Sequence, residues 1–242
     1  MNWDLYLILK VGGIAVFVFA GGVSAAKRLG ISREKGYFIN AVAVFVGFIV
    51  NRVWYIVQHV YGNDRYEYRS LSQAWNAWND AGSVLYGWLL GGTLTLALLS
   101  RLFKLRPLRY LDAVLPWLLV AQVLNRLGCF DAGCCYGKAT TFILSVYNAN
   151  IHGPSHPVQL YESIFDLLLF LYIRPRRSRP GFVFLAYFIG YPTARFFLEF
   201  LRGDNYPALL FMTVPQVTSV LILFTVGLLM TSASFKKALY TP

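Results

Sequence analysis

Apolar residues recur along this chain in seven long runs, about 5–25, 37–60, 84–100, 110–128, 158–174, 181–201 and 212–231, with short polar stretches between them. An α-helix needs roughly 20 apolar residues to cross a bilayer, so each run is expected to span. No stretch between the runs is long enough for a separate soluble domain. The predicted fold is therefore an all-α membrane protein, a seven-transmembrane-helix bundle forming one domain over residues 1–242. A small arm, 61–83, and a head loop, 129–157, are expected to lie outside the cytoplasm. The first run lacks a basic leader and a small-x-small cleavage site, which points to a retained helix.

Composition agrees with this pattern: 57% of the residues are hydrophobic, 14% are charged, and mean hydropathy is +0.52. The net charge of +11 would suggest nucleic acid until the charges are placed. Lys27, Arg28, Arg33 and Lys35 fall between the first two runs, Arg101, Lys104, Arg106 and Arg109 between the third and fourth. Arg174, Arg176, Arg177 and Arg179 fall between the fifth and sixth, and Lys236 and Lys237 in the tail. Basic loops that alternate in this way follow the positive-inside pattern and predict an N-terminus outside and a C-terminus in the cytoplasm. The excess reads as topology and contact with anionic lipid, not as a nucleic-acid footprint.

Against this apolar background a few polar positions stand out. Arg52 lies within the second run, where insertion costs roughly 2.5–3.5 kcal/mol, so it is expected to face a partner or a wet cavity. Asp166, in the fifth run, is a candidate counter-ion. Tyr61, Tyr66, Tyr68, Trp75 and Trp78 crowd the arm, consistent with an interfacial helix that either anchors the outer leaflet or gates a substrate. Phe142–Tyr147 reads as a short strand or hairpin arm above the membrane.

Three stretches carry the candidate chemistry. The first, 125–138, places Asn125, Arg126, three glycines and all three cysteines, Cys129, Cys134 and Cys135, in fourteen positions. Glycines permit a sharp turn and close approach to a ligand, and an arginine can grip a phosphate with two parallel hydrogen bonds. A tight re-entrant turn with a snorkelling arginine gives the same composition. An odd cysteine count on the outer side leaves either one free thiol, with Cys129 bridged to one of the adjacent pair, or three unpaired ones. No histidine or further cysteine sits at zinc spacing, so no metal is expected.

The second stretch runs from His156 to Glu162 and puts Gln159 and Glu162 on one helical face, with Asp166 four residues on. The third holds Tyr191, Arg195, Glu199 and Arg202, whose steps of four, four and three stack them on one face. Arg126, Glu162 and the Arg195 face therefore meet at one depth near the outer leaflet. Polar residues confined to that depth fit a lipid headgroup site better than an ion path across the whole bilayer.

With these residues the chain resembles the phosphatidylglycerol:prolipoprotein diacylglyceryl transferase family. Segment 125–138 is similar to its signature G-R-x-G-N-F-x-N-x-E-x-x-G, with Arg126, Gly128, Phe130 and Gly137 on fixed positions. His156-Pro157-Val158-Gln159-Leu160-Tyr161-Glu162 resembles H-P-S-Q-L-Y-E, and Tyr191 to Arg202 resembles Y-x-x-x-R-x-x-x-E-x-x-R. Gln216 sits like the glutamine that opens the last span, and Asp112 with Pro116 like the start of the signature helix. The chain departs from the family at Cys129, Ala132 and Cys134, which stand for two asparagines and a glutamate. It also has Tyr86-Gly87-Trp88-Leu89 where the family has H-G-G-L.

The resemblance implies a multi-pass enzyme of the bacterial cytoplasmic (inner) membrane, working as a monomer with its site facing the outer leaflet or periplasm. It would move a diacylglyceryl group from phosphatidylglycerol, or another anionic phospholipid, to the lipobox cysteine thiol of a prolipoprotein signal peptide. Arg126 and Arg195 would hold the phosphate, organised by Arg202 and Glu199, and His156, Glu162 or Glu199 would serve as base. Tyr86 would hydrogen-bond lipid or acceptor, while Gln159, Tyr191, Asn125, Gly128 and Gly137 would shape the substrate site. No metal or organic cofactor is implied, and nucleic acid is not a partner. Two alternatives stay open. One is a paralogous transferase with another acceptor, with Cys129, Cys134 or Cys135 as reactive thiols; the other is a non-catalytic lipid-binding protein.

Overall fold

Helices dominate the chain. The computed structural model describes residues 3–61, 72–73, 85–176, 180–204, 207–209 and 211–240. Helix α1 (Trp3–Ala15) passes through a π-helical turn, Val16–Ala20, into α2 (Gly21–Leu29). Then come α3 (Arg33–Tyr61), α4 (Leu85–Leu102) and α5 (Pro107–Asp131). A hairpin of β1 (Val146–Asn148) and β2 (Gly153–Ser155) precedes α6 (Val158–Ile173). Helix α7 (Phe182–Leu198) ends in a 3-10 turn, Glu199–Leu201. The short strands β3 (Pro207–Leu209) and β4 (Met212–Thr213) lead into α8 (Val214–Thr231) and α9 (Ala233–Tyr240).

Among the described residues, five helical segments are long and apolar enough to cross a membrane: Leu5–Leu29, Arg33–Ile56, Leu85–Leu102, Pro107–Asp131 and Val214–Thr231. Helices α6 and α7, at 16 and 17 residues, are shorter. Large apolar side chains on the bundle's outside, such as Ile8, Phe45, Leu94, Leu168 and Phe224, are more than half exposed, as lipid-facing residues are. Most of the aromatic arm, Trp75 and Trp78 included, lies outside the described residues. The hairpin starts later than the apolar pattern suggests: residues 142–145 form a turn, closed by Ser145 N–H to the Phe142 carbonyl at 2.7 Å, and only Val146 enters the strand.

Helix α5 is the centre of the bundle and packs on α1, α2, α4, α6 and α7. Its Tyr110, Ala113, Val114, Leu115 and Leu119 are buried, so both sides of this helix are core. Helices α3 and α4 meet through small residues. A β-carbon at Gly87 would fall 2.5 Å from the Asn51 Cα, and one at Gly91 would fall 2.8 Å from the Val50 Cβ. Without a hydrophobic force between helices in lipid, this close backbone approach supplies the packing energy.

Polar side chains inside the bundle close gaps in the backbone. The π-helical turn disrupts the regular ladder, and the Asn40 amide donates to the Phe17 and Val18 carbonyls at 3.1 and 3.3 Å. The Asn40 oxygen in turn accepts from the Tyr110 hydroxyl at 2.9 Å. Asp112 caps a neighbouring helix rather than its own: its carboxylate accepts from Gly181 N–H and, at 2.9 Å, from Phe184 N–H at the start of α7. Asp112→Ala would strand both buried donors and is expected to destabilise the protein by about 2 kcal/mol, read as a lower unfolding midpoint in detergent.

The expected Arg52–Asp166 pair does not form. Arg52 lies over the Tyr55 ring, 5.3 Å from its centre. Asp166 is fully buried, its carboxylate without a hydrogen bond among the described residues, and its charged neighbours are Glu162, Arg126 and Arg195. Helices α3 and α6 have little contact in the bundle, so residues that look level in the sequence stay apart.

Candidate active site

Three helix ends build the site. Arg126 lies near the end of α5, Glu162 in the second turn of α6, and Tyr191 and Arg195 on the last two turns of α7. Glu162 is the hub. One carboxylate oxygen takes Arg126 Nη2 at 2.7 Å and the Tyr191 hydroxyl at 2.8 Å; the other takes Arg195 Nη1 at 3.2 Å.

Arg195 Nη2 also forms an ion pair with Glu199 at 2.9 Å, one turn on. The Thr213 hydroxyl donates to the other Glu199 oxygen at 2.8 Å. Thr213 is the N-cap of α8 and forms a capping box with Gln216, so the start of α8 is tied directly to the charged network. Arg202 lies 3.9 Å from Glu199 and grips Asp204 at 2.6 and 2.9 Å.

Three guanidiniums thus face three carboxylates, all but Asp204 buried. The third carboxylate, two residues beyond the last motif position, escaped the sequence reading because nothing in its spacing marks it. Burial outweighs Arg202 and lifts the Asp204 carboxyl above its usual range. Glu162 and Glu199 are held by arginines and by the Tyr191 and Thr213 hydroxyls. Each guanidinium carries five N–H donors, more than the carboxylates use, and each keeps a small exposed fraction.

The other candidates surround this network. Tyr86 is buried and hydrogen-bonds Ser219 of α8 at 2.5 Å; since Ser219 donates to the Pro215 carbonyl, Tyr86 is the donor. Arg195, Glu162 and Glu199 are its charged neighbours. Gln159 donates to the Cys134 carbonyl at 2.6 Å, fixing the turn after α5. Gly128 packs on Tyr6 of α1. Asn125 is half-buried beside Arg126 without a hydrogen bond among the described residues. His156 is not joined to the charged network: its nearest polar partner is the Tyr161 hydroxyl, at 3.5 Å.

Gly137 has a structural reason. Its N–H donates to the His156 carbonyl at 3.0 Å, Lys138 N–H to the Leu201 carbonyl at 2.7 Å, and Gly203 N–H to the Tyr136 carbonyl at 3.0 Å. A β-carbon at Gly137 would collide with His156, so only glycine lets this strand lie between the start of α6 and the end of α7.

The three cysteines are unpaired, with Sγ atoms all within 4.8 Å of one another. The neighbouring Cys129 and Cys134 thiols, helped by the Arg202 and Arg126 charges, hold the Cys135 thiol well below the usual range. Cys134 is pushed up for the converse reason. Tyr6, which the sequence did not single out, has all three thiols and Arg126 as electrostatic neighbours. No local pattern could mark it, because α1 meets the turn only in the folded bundle.

The family model described as prolipoprotein diacylglyceryl transferase matches residues 2–232. The phosphatidylglycerol–prolipoprotein diacylglyceryl transferase of Clostridium tetani is 31% identical over 213 residues, covering 81% of this chain and 82% of its own length. Transferase 2 of Clostridium perfringens is 31% identical over 205 residues, covering 80% and 77%. The Enterococcus faecalis enzyme is 29% identical over 232 residues, covering 90% and 81%. A family match over nearly the whole length, carried by a chain whose arginines and glutamates converge at one end of the bundle, makes this protein a member of the prolipoprotein diacylglyceryl transferase family.

Proposed function

We propose that the protein transfers the diacylglyceryl group of phosphatidylglycerol to the lipobox cysteine thiol of a prolipoprotein. The observation that carries this reading is the buried Arg126–Glu162–Arg195 network, with contacts of 2.7 and 3.2 Å. Two guanidiniums held by one carboxylate form a preorganised cradle for a phosphodiester. They offer most to the transition state, when the C3–O bond breaks and negative charge gathers on the departing phosphate. Arg202, Glu199 and Thr213 keep Arg195 in place, and Tyr191 keeps Glu162 in place. Tyr86, tied to Ser219, would hydrogen-bond lipid or acceptor beside the arginines. Because one chain carries the whole site, a monomer suffices.

In this reading α6 and α7 complete seven spans, with the N-terminus outside and the C-terminus in the cytoplasm. The alternating basic loops support that orientation. It sets the arginine network at the outer leaflet of a bacterial inner membrane, where phospholipid headgroups lie.

The test is a transfer assay in phosphatidylglycerol vesicles with a lipobox peptide, read by mass spectrometry. A diacylglyceryl mass on the peptide cysteine, lost in Arg126→Ala and Arg195→Ala, is the expected result. An unmodified peptide with phospholipid consumed would assign another acceptor, and no phospholipid turnover would overturn the enzyme reading.

A further inference from the structure

The arginine network leaves one group of reactive side chains unused. Cys129 lies in the last turn of α5, and Cys134 and Cys135 lie in the turn behind it; all three Sγ atoms fall within 4.8 Å of one another. Cys129 is buried and the other two are half-buried, so the group can be reached from the side of the turn. The backbone bends to make it. Gly133 and Cys135 both take left-handed conformations, with φ of 70° and 60°. Glycine does this freely; a residue with a β-carbon does it rarely. A turn alone would be served better by glycine at 135 as well.

We propose that Cys129, Cys134 and Cys135 form a three-thiolate site for zinc(II), with the fourth coordination position left for an incoming thiol. Three protein ligands and one open position is the arrangement of catalytic rather than structural zinc. Zinc–sulfur bonds of about 2.3 Å set tetrahedral sulfurs roughly 3.8 Å apart, so the thiols need to draw together by about 1 Å at most. Charge selects the ion among thiophilic cations. Three thiolates on zinc(II) leave a single negative charge, and on copper(I) they leave two. Arg126 and Arg202, both electrostatic neighbours of Cys135, are already engaged with Glu162 and Asp204, which favours the smaller excess.

The role of the fourth position rests on the transferase reading. A thiol bound to zinc is deprotonated. An acceptor cysteine taken as fourth ligand would release its proton to solvent and reach the site as a thiolate. Its sulfur would then form the bond to the glyceryl C3 as the C3–O bond breaks, the electron pair passing to the phosphate oxygen that the arginines hold. No side-chain base is required, which suits a site whose glutamates are spent on arginines and where Tyr86 stands in place of the family's histidine.

The experiment uses the full chain, reduced and freed of metal in detergent, titrated with Co2+ as a spectroscopic stand-in for Zn2+. One Co2+ per chain, with thiolate charge-transfer and tetrahedral d–d absorption displaced by Zn2+, is expected. Cys129→Ser, Cys134→Ser and Cys135→Ser should each weaken binding by more than about 100-fold, beyond the upper end for loss of a mere supporting residue. Where a variant does not fold, protection of the parent's three thiols from alkylation by Zn2+ decides instead. Absent bands, binding retained in folded variants, or protection of fewer than three thiols would overturn the site. A cysteine lipobox peptide should shift the d–d bands while its serine analogue does not; equal responses would overturn the fourth-position role. Transfer that persists in metal-free protein would overturn that role and leave the transferase reading intact. Metal binding without any transfer would uphold the site and overturn the transferase instead.

Discussion

Replacing Arg126 by lysine is expected to slow diacylglyceryl transfer by about 100- to 1,000-fold, the range seen when one preorganised donor to a developing oxyanion is removed. The substitution keeps the charge and loses the planar fork. Arg126 reaches Glu162 through one terminal nitrogen at 2.7 Å, which leaves the rest of the guanidinium to meet a phosphate. A lysine ammonium is a single point on a flexible stem. Held by Glu162, it would have little left for the substrate; turned to the substrate, it would leave Glu162 to Arg195 alone. Because the lost contacts are strongest in the transition state, the fall should appear in kcat with the peptide KM little changed. Steady-state kinetics in phosphatidylglycerol vesicles would check it, and a variant that kept more than a tenth of the parent rate would contradict the forked grip.

The second large effect is on stability. Glu162→Ala removes the shared partner of Arg126, Arg195 and Tyr191 at once, in a place where Glu162 itself is only 2% exposed. Two buried guanidiniums would face each other without a carboxylate between them. Breaking a buried pair in this way typically costs about 3–5 kcal/mol, and here the same deletion also empties space in the core. Glu162→Gln separates the two causes, since it fills the space and keeps an acceptor for Tyr191 while losing the charge. The unfolding midpoint in detergent should fall most for alanine, less for glutamine, and activity should be lost in both. Equal midpoints for the alanine variant and the parent would mean that the arginines are balanced elsewhere.

Much of this site can be read from spacing. Arg195, Glu199 and Arg202 share a helical face by periodicity, and the structure links them in that order. Helix ends are similarly legible: Pro107 opens α5 and Pro157 stands immediately before α6. What spacing misses is contact between distant segments. Nothing local announces that Tyr86 meets Ser219, that Thr213 holds Glu199, or that Tyr6 borders the thiols. The mistaken pairing of Arg52 with Asp166 has the same origin. Depth along two helices can be counted, whereas the face each presents depends on packing that periodicity does not encode. The thiol cluster is hidden for a related reason, since positions 129, 134 and 135 come together only through the left-handed bends at Gly133 and Cys135.

The strand from Tyr136 to Thr140 hydrogen-bonds on one side to residues 154 and 156 and on the other to residues 201 and 203. It therefore works as a spacer bar across the mouths of α5, α6 and α7, the three helices that carry Arg126, Glu162 and Arg195. Lipids of different chain length can tilt helices or slide them along the membrane normal. With these ends clipped to one bar, that strain is expected to be absorbed at the opposite ends of the helices. The spacing of Arg126, Glu162 and Arg195 is then expected to be set by protein alone, and to be the same in a thin membrane as in a thick one.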